Sequence, residues 1–198
     1  MRLILASGSP RRREILKEIG RPFEVIVPHV EEDHPPHLAP EESAVENAMA
    51  KARWVSQRAG DGILLGADTV VALGNDIFNK PRDASEAVRM LSVLSGKTHR
   101  VITGMAFLVV REGQVMEEIK EHVVTRVTMR SITDEDIRDY VRTHAPFDKA
   151  GAYAIQEIGD LFVERIEGDY YNVVGLPRER VKDILRALFR RYEQANSG

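Results

Sequence analysis

Apolar positions recur along this chain with two spacings, and the changes from one to the other divide it into elements. Residues 2–6, read RLILA, form a short apolar run closed by Ser7-Gly8-Ser9. The pattern predicts a buried strand, a polar loop, and then a helix over residues 10–19, with Ser9 as N-cap, Pro10 at its first position and Gly20 as its stop. A second run, FEVIV at residues 23–27, leads into EEDHPPHLAPEE, whose prolines and acids mark a loop. From residue 40 to 59 the spacing becomes helical: Val45, Ala48, Met49, Ala52, Val55 and Ala59 share a face, with Lys51 at its rim.

Residues 62–73, GILLGADTVVAL, are apolar on both faces and read as a central strand with an acid in its middle. After a turn at residues 74–76, Asp83 caps a helix over 84–95, where Glu86 completes a capping box and Gly96 marks the end. Two β-rich runs, 99–110 and 115–132, flank the turn Arg111-Glu112-Gly113-Gln114 and predict a hairpin. We expect it to splay from the main sheet and give a bilobed molecule. Thr133 caps a helix over 134–144, and an amphipathic helix over 178–193 closes the pattern. Helices and strands mixed throughout favour an α/β fold: a mixed twisted sheet with flanking helices.

Composition narrows the chemistry. With 198 residues, 43% of them hydrophobic and 30% charged, the chain has the make-up of a globular protein able to bury a sizeable core. A net charge of −3 argues against a general nucleic-acid or membrane-surface binder, so the run Arg11-Arg12-Arg13 is a local feature. The absence of cysteine excludes disulfides, thiolate metal sites and a cysteine nucleophile. The first apolar run is too short for a secretory signal, and a cytoplasmic location is the expectation.

The arginine run is the first candidate site. A helix N-terminus already carries about half a positive charge. Three arginines in its first turn are tolerated either because they face solvent or because a multiply charged anion sits among them. Asp68 is the second: a carboxylate in an apolar strand must be paired, hydrogen-bonded or metal-bound, and it serves as a general base or as half of a structural ion pair. Lys80, before Pro81, suits phosphate neutralisation or a solvated turn, and Lys51 at its rim position suits a snorkelling side chain. In DKAGAYAIQ, Asp148-Lys149 precedes small residues that admit close approach of a ligand or another backbone, and Gln156 can read a base edge. Glu31 and Glu32 are metal ligands or a solvated acidic patch.

Taken together, LILASGSPRRREIL, EESAVENAMAKA, LLGADTVV, NKPRDASEAVRMLSVLSGKTHRVITG and DKAGAYAIQEIGDLFVERIEGDYYNVVGLP resemble, in order and over nearly the whole chain, the Maf family of nucleoside triphosphate pyrophosphatases. The resemblance implies one domain over residues 1–198, with an inosine triphosphate pyrophosphatase-like fold of two lobes around a cleft. It implies a cytoplasmic homodimer with no membrane or nucleic-acid partner, hydrolysing nucleoside triphosphates to the monophosphate and pyrophosphate with a divalent cation such as Mg²⁺, Mn²⁺ or Co²⁺. Carried onto matching positions, Ser7, Arg11, Arg12, Lys51, Lys80 and Lys149 bind substrate, Asp68 is the catalytic base, and Glu32 and Asp68 belong to the metal site. Arg13 falls outside the motif. Arg11, Thr69 and Gln156 match the specificity positions of the branch acting on dTTP and UTP, and differ from the branch acting on 7-methyl-GTP. The alternatives are a 7-methyl-GTP pyrophosphatase and a nucleotide-binding regulator of cell division with negligible turnover, the latter opposed by the intact acid and lysine set.

Overall fold

The computed structural model describes residues 1–194. Its centre is a mixed sheet of seven strands among the described residues. Strand β1 (Leu3–Ala6) lies between β2 (Glu24–Val25) and β3 (Gly62–Leu73), parallel to both. Strands β5 (Thr98–Arg111), β6 (Gln114–Met129) and β7 (Val163–Glu167) continue the sheet antiparallel, and the short β4 (Asp76–Phe78) pairs with the far end of β3. The predicted hairpin is β5–β6, but it does not splay away: β5 pairs with β3 from Arg100 to Val110. Apolar positions on both faces of β5 hold it inside the sheet, since leaving would expose them.

Helices α1 (Pro10–Glu18), α2 (Pro40–Ala59), α3 (Ala84–Leu94), α4 (Asp134–His144), α5 (Ile155–Phe162), α6 (Tyr170–Val174) and α7 (Arg178–Gln194) flank the sheet. One face packs Leu5, Leu65, Met105 and Phe107 with side chains of α1, α3, α4 and α7. The other packs Ile4, Leu64 and Leu108 under Ala48, Met49, Ala52 and Val55 of α2. There the helix lies almost on the backbone of the sheet. A Cβ on Gly66 would sit 2.1 Å from the Ala48 carbonyl oxygen, and one on Gly104 would sit 2.3 Å from the Ala44 carbonyl carbon. Only glycine at both positions lets α2 come this close, and the closeness sets the height of Lys51 above the sheet.

Several local expectations shift. Strand β2 covers two residues of the FEVIV run, because Val27 is exposed and Pro28 follows. Asp83 caps α3 through Oδ1, but Glu86 reaches back to the Arg82 N–H at 2.9 Å rather than to Asp83. No helix among the described residues is long and apolar enough to cross a membrane.

Candidate active site

Strand topology opens the site. Strand β1 ends opposite Gly66 and β4 ends opposite Val71, so residues 67–70 of β3 have no strand beside them on that side. Into this gap run the loop after β1 and the N-terminus of α1, the usual place for a ligand in a sheet of this kind. Because the strand is uncovered there, Asp68 and Thr69 reach one cavity from opposite faces of the sheet. That cavity, about 400 Å³, is lined by all ten residues to which the resemblance gives a role: Ser7, Arg11, Arg12, Glu32, Lys51, Asp68, Thr69, Lys80, Lys149 and Gln156.

On the α2 side, Lys51 is not a snorkelling rim residue. Its Nζ donates to Asp68 Oδ1 at 2.6 Å and Glu32 Oε1 at 2.8 Å, with the Ala67 carbonyl at 3.4 Å. Three acceptors match the three protons of an ammonium, which is what makes a lysine only 8% exposed tolerable beside an aspartate only 5% exposed. Glu32 also accepts from Lys80 Nζ, at 3.1 and 3.3 Å, and so bridges a buried cation to an exposed one. Burial raises the Glu32 carboxyl, but Lys51 and then Lys80, by charge and hydrogen bond, outweigh it and hold the group at about 2.

Asn47, one helical turn before Lys51, was not anticipated as a site residue. Its side-chain amide pairs with both backbone groups of Asp33, accepting at 3.0 Å and donating at 2.9 Å, and so ties the acidic loop to α2 beside Glu32. No local sequence signal marks it: its burial, shared with Ser43 and Lys51 on the same helix, comes from the fold. His34 lines the cavity with Nδ1 2.7 Å from Ser43 Oγ, whereas Glu31 is exposed and lies outside the cavity lining.

On the other side, Ser9 caps α1 and Pro10 opens it. The first turn carries no acid, so its three arginines are not neutralised within the helix. They separate as the motif implied. Arg13 is exposed and Arg11 is half-buried, its Nη1 3.4 Å from Asp148 Oδ2. Arg12 turns inward: Nε donates to the Gly175 carbonyl at 2.8 Å, Nη2 to Thr69 Oγ1 at 2.9 Å and Nη1 to Ser7 Oγ at 3.3 Å. All three acceptors are neutral. Burial draws the Arg12 guanidinium below its ordinary value, against the attraction of Asp68 and Glu32.

Lys149 is buried, donating to Asp148 Oδ1 at 2.8 Å with Glu157 Oε1 at 3.5 Å. Gln156, at the start of α5, is exposed at the mouth. The wall thus carries cations from four segments of chain, with two carboxylates at its floor. Such a hollow receives a polyanion and holds a carboxylate near it.

A family model described as Maf-like protein matches residues 2–188. The chain belongs to that family. Among curated relatives of this Maf-like protein, one from Thermococcus gammatolerans, named dTTP/UTP pyrophosphatase, is 51% identical over 177 residues, covering 89% of this chain and 91% of its own. One of the same name from Alkaliphilus oremlandii is 49% identical over 188 residues, 94% of this chain and 96% of its own. A third, from Bacillus cytotoxicus, is 44% identical over 197 residues, with coverage of 100% and 97%. Among solved structures, a HAM1 protein from Coxiella burnetii overlaps 94% of this chain and 99% of its own at 17% identity and TM-score 0.49, a likeness too distant to inform the site.

Proposed function

We propose that this protein hydrolyses nucleoside triphosphates, with dTTP and UTP as its preferred substrates, to the monophosphate and pyrophosphate. The observation that carries the reading is the buried Lys51–Asp68 pair at the floor of a cavity walled by Arg11, Arg12, Lys80 and Lys149. Phosphoryl chemistry needs positioning and charge neutralisation more than a covalent nucleophile, and these side chains supply both. The relatives' shared name supports the pyrimidine preference.

In this reading Ser7, Arg11, Arg12, Lys51, Lys80 and Lys149 bind the triphosphate, while Arg11, Thr69 and Gln156 contact the base. Lys51 holds Oδ1 of Asp68 as a carboxylate acceptor. Among the described residues the hydrogen-bond partner of Oδ2 is Asn47, at 3.5 Å, too long for a strong bond, and Oδ2 is the oxygen with capacity to take a proton. Asp68 removes a proton from water as the water oxygen bonds to the α-phosphorus. The bond from that phosphorus to the bridging oxygen breaks, and pyrophosphate leaves with the electron pair.

Glu32 and Asp68 also fit a divalent cation. Their carboxylates converge on one ammonium, showing that both can face a single positive charge, and their oxygens are the hard donors that Mg²⁺, Mn²⁺ and Co²⁺ accept. Two carboxylates together with substrate phosphates is a usual holding set for Mg²⁺. Bound there, the ion would neutralise phosphate charge. We read residues 1–198 as one catalytic domain, with α2 and the acidic loop as one lobe and the segment from Asp148 to Gly175 as the other. We place it in the cytoplasm as a homodimer.

The test is a panel of nucleoside triphosphates with Mg²⁺ or Mn²⁺, scored for pyrophosphate against single phosphate. Asp68→Asn should abolish pyrophosphate release while still binding nucleotide. Near-normal turnover by that variant would remove Asp68 from its role.

A further inference from the structure

We propose that Thr103, a fully buried residue outside the cavity lining, is a positioning residue that fixes the Arg12 guanidinium through Thr69. The inference rests on the reading above that Arg12 binds the triphosphate.

Thr69 on β3 and Thr103 on β5 are direct cross-strand partners, and their hydroxyl oxygens lie 2.9 Å apart. Thr103 Oγ1 also lies 3.1 Å from the Asn172 carbonyl oxygen, to which it donates. A hydroxyl has one proton. With its proton on that carbonyl, Thr103 must be the acceptor between the two threonines, and Thr69 the donor. The other acceptor within reach of Thr69, the Gly175 carbonyl, is farther at 3.4 Å and already takes Arg12 Nε at 2.8 Å. The Thr69 oxygen in turn accepts from Arg12 Nη2 at 2.9 Å. The donors therefore run in one sense, from Arg12 to Thr69 to Thr103 to the backbone of α6. Bonds ordered this way polarise one another, and the acceptor end of the series faces the cation.

The far end is fixed as well. Asn172 is fully buried, and its Nδ2 donates to the Val101 carbonyl at 2.9 Å and to Thr125 Oγ1 at 3.0 Å. Gly175, at φ 126°, turns its carbonyl toward Arg12 in a conformation that side chains rarely adopt. Arg12 is thus held at two points, directly by Gly175, which caps α6, and through two threonines by Asn172 within α6. Both anchors are neutral. A carboxylate in their place would hold the guanidinium harder and cancel the charge that a triphosphate needs. The threonine pair fixes the fork and leaves its charge free for substrate, which is the condition for electrostatic preorganisation.

The test is kcat/KM for UTP hydrolysis in the wild type, Thr103→Val, Thr103→Ser, Arg12→Lys and the double variant Arg12→Lys/Thr103→Val, with the urea midpoint of each measured alongside. Thr103→Val, nearly the same shape without the hydroxyl, is expected to lose about fivefold or more, the scale of one neutral hydrogen bond. Thr103→Ser should stay within about threefold, because it keeps the relay. On the Arg12→Lys background Thr103→Val should cost less than about threefold more, since no planar fork is left to orient. Thr103→Ala, which adds no methyl beside the Asn172 carbonyl, is run in parallel and should follow Thr103→Val. A loss of the same size in both backgrounds would mean a merely structural threonine and overturn the proposal, as would Thr103→Val and Thr103→Ala activity within about twofold of wild type. If Arg12→Lys alone turns over like the wild type, it is the reading of Arg12 that fails, and the inference falls with it.

Discussion

Replacing Lys51 by Met keeps the volume and removes the charge, so it asks what the buried ion pair contributes. In the wild type Asp68 has one strong partner, the ammonium at 2.6 Å, and the Asn47 amide at 3.5 Å is too far to replace it. Glu32 in the same variant still keeps Lys80 at 3.1 Å and is about a third exposed, so it adds little to the penalty. The cost is therefore that of stranding one buried carboxylate, about 3–5 kcal/mol. For a domain of this size that lowers the melting temperature by about 6–20 °C. Asp68→Asn should cost less, because Lys51 retains Glu32 at 2.8 Å. The double variant Lys51→Met/Asp68→Asn should then be more stable than Lys51→Met alone, since no carboxylate is left stranded. Urea unfolding at pH 7 measures all three. A Lys51→Met loss below about 1 kcal/mol, or a double variant no more stable than Lys51→Met, would refute the claim that the pair is buried and mutually dependent.

Two further outcomes follow from the fold. Gly104→Ala would place a Cβ 2.3 Å from the Ala44 carbonyl carbon and 2.5 Å from Val45 N, lifting α2 and the residues it carries. It should cost about 3 kcal/mol by urea unfolding and lower pyrophosphatase activity, and an unchanged midpoint would contradict the close approach. His99 is buried, with Nε2 2.6 Å from Tyr153 Oη, and burial holds its pKa at about 4, below the ordinary 6.5. The unfolded chain therefore binds the extra proton between those values, so stability falls as the pH drops from 6.5 to 4. His99→Gln should flatten the slope of unfolding free energy in that window, and an unaltered slope would show that His99 is not held neutral.

How far the sequence could be read depended on whether a feature is periodic. Helices α2, α3, α4 and α7 stand where apolar spacing and capping residues put them, because each buries one continuous face. The helix α5 was missed although Ile155, Ile158 and Phe162 have helical spacing and pack in the core. It is short, contains Gly159 and has at its N-cap Ala154, which offers no side-chain cap, so none of the usual boundary signals mark it. Lys51 sits at the rim of its helix by angle alone. Its burial comes from Asp68 on β3 and Glu32 on a loop, and no local pattern reports partners so distant along the chain. In the same way, alternation puts Asp68 and Thr69 on opposite faces, and only the end of β1 explains why one cavity reaches both. Most of the site was legible through the family motifs. Asn47 and Thr103, which hold the site residues in place without carrying its charge, became visible only with the fold.

The central claim is that water, relieved of a proton by Asp68, attacks the α-phosphorus of a nucleoside triphosphate. Hydrolysis of UTP in ¹⁸O-labelled water, with mass analysis of both products, tests it most directly. The label should appear in the uridine monophosphate and not in the pyrophosphate, and Asp68→Asn should yield neither product at an appreciable rate. Label in the pyrophosphate, or release of single phosphate with uridine diphosphate, would contradict the account.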